Sequence, residues 1–142
     1  MIVLDIAEDP KTPAFGPLCT AREAAFSQDA DGSCLKLLYA TIGCETVDVI
    51  DIGHNIDMWV DDEGAFAEDI KVNWLATMLR TAYWAKSGGE IAVPSKYPPI
   101  FGRAVLLSHD IEGRTLDLSP EQVEHVKSLM DVAPAAQEEG EA

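Results

Sequence analysis

Two hydrophobic rhythms alternate along this chain, and the changes between them mark out its elements. Residues 1–6 carry a tight apolar run that predicts a first strand. Residues 8–17 contain Pro10, Pro13, Gly16 and Pro17, which predicts a loop. Residues 20–26 suit two helical turns. Residues 29–33 form a turn whose Ser33 caps a short buried helix through Leu35, Leu37, Leu38, Ala40, Thr41 and Ile42, closed by Gly43. Residues 46–52 alternate apolar and acidic, directing Val47, Val49 or Ile50, and Ile52 toward a core. Gly53, His54 and Asn55 supply a turn and residues 56–60 return, which predicts a hairpin followed by an acidic turn at 61–64.

The second half begins with the clearest helix. Residues 71–86 place Val72, Leu75, Leu79, Ala82 and Tyr83 at three- and four-residue spacing, and Gly88 and Gly89 stop it. Residues 91–93 read as a short strand ended by Pro94, and the chain stays extended through Pro98 and Pro99. Residues 102–108 predict a strongly apolar strand, residues 110–113 turn it, and residues 114–116 pair back. At Ser119, Pro120 and Gln122, a cap, a proline at the first helical position and a capping box agree on a helix start. The expected fold is a single α+β domain over residues 1–132. It has a small, largely antiparallel sheet, about three helices and a Pro-rich loop insertion at residues 10–31. Residues 133–142 read as a disordered acidic tail.

Charge changes this picture more than composition does. The chain has 142 residues, 47% hydrophobic and 25% charged, an ordinary globular balance. Its formal net charge, however, is −15. Such a surface repels nucleic acid and anionic lipid, so neither is an expected partner. The charge is also concentrated. Residues 1–69 hold 15 acidic and 3 basic residues, against 10 and 7 in residues 70–142. Residues 45–69 contain nine acids and no Lys or Arg. A hairpin lines up alternate side chains, which makes Asp48, Asp51, Asp57, Asp61, Asp62 and Glu63 the candidate surface for a basic protein partner. The competing reading of the same residues is a solvated, solubilising face.

Other chemistry finds little support. An EF-hand framed on Gly32 puts Leu38 where a bidentate Glu is required, and one framed on Gly64 begins with Trp59. His54 with Asp57, and His109 with Asp110, offer metal-ligand types, but both histidines read as exposed turn residues and His125 as a helix-surface residue. Cys19, Cys34 and Cys44 form no C-x-x-C pair and read as reduced thiols. Phosphate-binding glycine loops are absent. No catalytic residue, metal or cofactor is assigned, and an enzymatic role is disfavoured. The sequence shows neither a signal peptide nor a membrane span, so a cytoplasmic location is expected.

Two segments resemble the DUF3846 family. The first is the run Asp57-Met58-Trp59-Val60-Asp61-Asp62-Glu63-Gly64, followed by Asn73-Trp74-Leu75-Ala76-Thr77. The second is Ile100-Phe101-Gly102-Arg103-Ala104-Val105-Leu106-Leu107, with Asp110-Ile111-Glu112-Gly113 and then Leu118. The resemblance covers residues 1–130. The chain departs from the pattern in its longer Pro-rich segment and in Arg103. No activity carries over from the family. What the resemblance implies is a setting in bacteriophages, mobile elements and their hosts, and Asn73 and Thr77 are the polar positions its motif marks.

The favoured function is therefore a non-enzymatic, phage- or mobile-element-type accessory protein that binds a basic protein through its acidic stretch. The alternative is a small-molecule or nucleotide-derivative binder with a pocket near Asn73, Trp74, Thr77 and Arg80. A metal-dependent hydrolase comes third.

Overall fold

Ile2–Ile6 (β1) and Ala104–His109 (β5) are apolar on both faces, and the sheet is built outward from this pair. They run antiparallel, with Ile2 opposite Leu106 and Leu4 opposite Ala104. Strands buried on both sides need no polar alternation, which is why residues 1–4 and 104–107 read as continuous apolar runs. The computed structural model describes residues 1–6, 19–63, 71–86 and 99–134. The expected strand at 91–93, residues 10–18 of the Pro-rich segment and residues 135–142 of the expected acidic tail lie outside them.

Val47–Asp51 (β3) and Ile56–Asp61 (β4) form the expected hairpin, and β4 pairs antiparallel with β5. Cys19–Glu23 (β2) lies antiparallel to β1, and Val132–Ala133 (β7) adds a parallel edge to β2. Thr115–Leu116 (β6) pairs with the end of β5 beyond the reach of β1. The strand order is β3-β4-β5-β1-β2-β7. The helices are Leu35–Ile42 (α1), Trp74–Lys86 (α2) and Pro120–Lys127 (α3). Among the described residues, this mostly antiparallel seven-stranded sheet with three helices is a single small α+β domain.

Each face of the sheet has its own core. Cys34, Leu38 and Ile42 of the α1 region cover Met1, Val3, Val105 and Leu107 on one face. On the other, Ala76 and Leu79 of α2 and Val126 of α3 cover Ile2, Leu4, Met58 and Leu106. Burying such apolar side chains contributes roughly 1.5–3 kcal/mol each relative to exposure. Between the two orientations expected for β3, Ile50 packs on the second core, while Val49 is 45% exposed.

Three elements differ from the sequence reading. Residues 20–26 do not form helical turns, because the open flank of β1 takes Cys19–Glu23 as a partner and places Ala21 opposite Leu4. Pairing of this kind overrides local propensity. The second helix begins at Trp74 rather than at residue 71, since Val72 bridges Phe101 and Asn73 caps the helix. At α1 the cap position is Cys34, which makes no side-chain cap bond, and Ser33 Oγ accepts only from the Leu35 N–H, at 3.3 Å.

Candidate functional site

The acidic hairpin divides its carboxylates between the faces. Val47, Val49 and Asp51 stand opposite Asp61, Trp59 and Asp57, so Asp51, Asp57 and Asp61 share a face while Asp48 points to the other. Asp62 and Glu63 follow in the exposed turn. Local geometry engages several of these groups. Asp48 accepts from the Val49 N–H at 2.8 Å, Asp51 from Gly53 at 2.8 Å and Asp61 from Glu63 at 2.9 Å. Each remains exposed or half-buried.

Asp57 is the exception. Its Oδ2 lies 2.9 Å from His109 Nδ1, with the Asp57 side chain 15% exposed. Burial pushes its carboxyl above the usual value. The His109 contact pulls it down, and Asp51 across the ladder pushes it up again. Burial therefore outweighs the partner. Elsewhere the acids meet strong bases: Asp5 accepts from Arg22 and Arg103, and Asp110 and Glu112 pair with Arg114. The Arg114 backbone N–H and guanidinium hold Asp110 below the usual carboxylate range. Among the described residues no hairpin acid has an Arg or Lys partner.

The polar positions at the start of α2 are engaged structurally. Asn73 is fully buried, donates through Nδ2 to Leu4 O at 3.0 Å and Gly102 O at 2.9 Å, and accepts from Ala76 N–H at 3.1 Å. Thr77 Oγ1 donates to Asn73 O at 2.8 Å and accepts from Ile100 N–H at 3.0 Å. Arg80 is 6% exposed, and burial lowers its pKa, while Trp74 is 41% exposed. Asn73 and Thr77 thus join helix to sheet through backbone partners.

The structure forms a histidine pairing that the sequence reading missed. His54 in the β3–β4 turn and His125 on α3 have ring centroids 3.7 Å apart, tilted by 34°. They border a cavity of about 310 Å³ between the turn, α2 and α3. Nothing local joins residues so distant in sequence. The one signal was the Gly53-His54-Asn55 turn, which places His54 outside the ladder. Asp57, the nearer sequence neighbour of His54, bonds His109 instead. Among the described residues, no three His, Cys, Asp or Glu side chains are grouped to hold a metal ion. No helix among them is long and apolar enough to cross a membrane.

Fold and site define a small α+β domain whose polar features gather on a hairpin and its adjoining helix. The chain belongs to the family described as a domain of unknown function (DUF3846), whose model matches residues 18–131. That span begins just before β2, so β1 precedes it. No curated protein and no solved structure matches the chain.

Proposed function

We propose that this protein is a non-enzymatic accessory protein of the phage or mobile-element type that binds a basic protein through its β3–β4 hairpin. One observation carries the reading: Asp48 and Asp51 lie on the edge strand β3, Asp61, Asp62 and Glu63 lie at the end of β4 and in the turn after it, and among the described residues none of these acids has an Arg or Lys partner. Acids elsewhere in the fold do have such partners. Unneutralised carboxylates gathered on one hairpin accelerate encounter with a cationic surface and select against anionic partners.

The test compares the native chain with one carrying Asp48→Asn, Asp51→Asn, Asp61→Asn, Asp62→Asn and Glu63→Gln as bait in a bacterial lysate. A discrete basic protein retained by the native chain, lost from the variant and released by salt supports the reading. Equal capture by both baits, or capture indifferent to salt, refutes it.

A further inference from the structure

Two cavities of opposite character adjoin the hairpin turn and share two lining residues. The first, of about 310 Å³, is walled mainly by Ile52, Ile56, Leu79, Tyr83 and Val126. An apolar cavity of about 150 Å³ already accommodates benzene, so this one has room for an aromatic ring with a short substituent. The second chamber is polar, bordered by Asn55, Ser108, Ser119, Glu121 and Gln122. His54 and His125 border both, with their ring centroids 3.7 Å apart.

The turn that carries His54 is held in place from behind. Gly53, His54 and Asn55 all adopt left-handed φ values, of 82°, 57° and 59°. Two consecutive non-glycine residues in that region require support from their surroundings. Gln122 supplies it, donating through Nε2 to His54 O and to Ser108 Oγ, each at 2.9 Å. That amide donor is therefore engaged. Glu121 is the only Asp, Glu, Lys or Arg among the described residues bordering either chamber. Its carboxylate makes no hydrogen bond or ion pair among them. The chain's net charge of −15 further opposes an anionic ligand.

We propose that the two chambers form one binding site for a small amphipathic amine. Its aromatic or alicyclic body occupies the apolar chamber. Its ammonium group extends alongside the His54–His125 pair, whose rings are in contact, and faces Glu121. This site is separate from the carboxylates of the acidic hairpin and does not depend on a protein partner.

The probe is 2-phenylethylamine, titrated at constant pH into the full chain while the imidazole NMR signals of His54 and His125 are followed. The charge-reversed probe is 3-phenylpropionate. Two variants at exposed positions test the chambers separately: Ala82→Trp fills the apolar one, and Glu121→Gln removes the charge. The expected result is a saturable shift of both imidazoles with the amine. It is abolished by Ala82→Trp and weakened about threefold to fivefold by Glu121→Gln, the scale of an exposed charge pair. The proposal is overturned by no saturable shift, by equal binding of the propionate, or by binding unchanged in either variant with the fold intact by melting temperature.

Discussion

The side-chain amide of Gln122 donates to the carbonyl oxygen of His54, 68 positions away in the sequence, at 2.9 Å. The same side chain closes the capping box of α3: its Oε1 accepts from Ser119 N–H at 2.8 Å, while Ser119 Oγ accepts from Gln122 N–H at 3.2 Å. One residue thus satisfies a helix start and fixes the hairpin turn against it. The local motif and the tertiary contact use opposite ends of one amide, so the cap also orients the donor.

Gln122→Ala removes both functions. Losing the box costs about 1 kcal/mol and stranding the turn carbonyls adds a similar amount, so urea melts are expected to show about 2 kcal/mol of destabilisation. Gln122→Glu retains the capping oxygen and loses the donor. It is expected to recover the helix term while remaining destabilised, because its second oxygen then faces the His54 carbonyl.

Asp57 sets a pH dependence. Its carboxyl lies above the ordinary 3.8 in the folded chain, chiefly through burial. A raised acid holds its proton more tightly folded than unfolded, so ionised Asp57 subtracts from stability at neutral pH. That cost fades as pH falls through the folded value and is gone below the unfolded one. Asp57→Asn keeps a hydrogen-bonding group beside His109 and removes the charge. It is expected to stabilise the fold at pH 7 by about 1 kcal/mol or less, with the advantage disappearing in acid. Thermal melts of both proteins between pH 7 and pH 4 check the sign.

Features carried by local signals were legible in the sequence. The Ser119 capping box is complete, and Gly43 sits at φ 82° as the C-terminal residue closing α1. The hairpin and the apolar β5 follow their side-chain periods. What was missed depends on partners distant in sequence. β2 has one buried residue, Ala21, and is a strand because β1 needs a neighbour. β7 is two residues long, too short for a period to register. The Asp57–His109 and His54–His125 pairs arise where separate elements meet, and no spacing rule reports them. Asn73 and Thr77, the polar positions the family motif marks, are visible in the sequence as polar groups on an apolar helix, but their backbone partners on distant elements are not.

Asn73 is the buried polar group on which the seam between α2 and the sheet depends. Asn73→Ala removes the cap to Ala76 and leaves the carbonyls of Leu4 and Gly102 without this donor. The expected loss is about 3 kcal/mol, the sum of a cap and a buried unsatisfied acceptor. Asn73→Asp retains the capping oxygen but turns a carboxylate toward two carbonyl oxygens. It is expected to do no better than alanine at pH 7, and to improve on acidification as the carboxyl is protonated. Urea melts at the two pH values distinguish lost capping from buried charge.

Gly53 and Gly32 have nearly the same backbone, φ 82° and 84°, but different surroundings. A Cβ at Gly32 meets nothing within 4 Å, whereas one at Gly53 comes within 2.7 Å of the Tyr83 ring. Gly32→Ala therefore measures left-handed strain alone, expected to cost about 1 kcal/mol. Gly53→Ala adds a clash with an aromatic ring packed in the core and is expected to cost about 2–3 kcal/mol. The difference should be recoverable. In a double-mutant cycle with Tyr83→Leu, the clash vanishes but the strain remains, so Gly53→Ala should cost about the same as Gly32→Ala. A coupling of about 1 kcal/mol or more between Gly53 and Tyr83 would establish that this glycine is required by the ring above it as well as by the turn. A coupling near zero would assign the whole cost to backbone conformation.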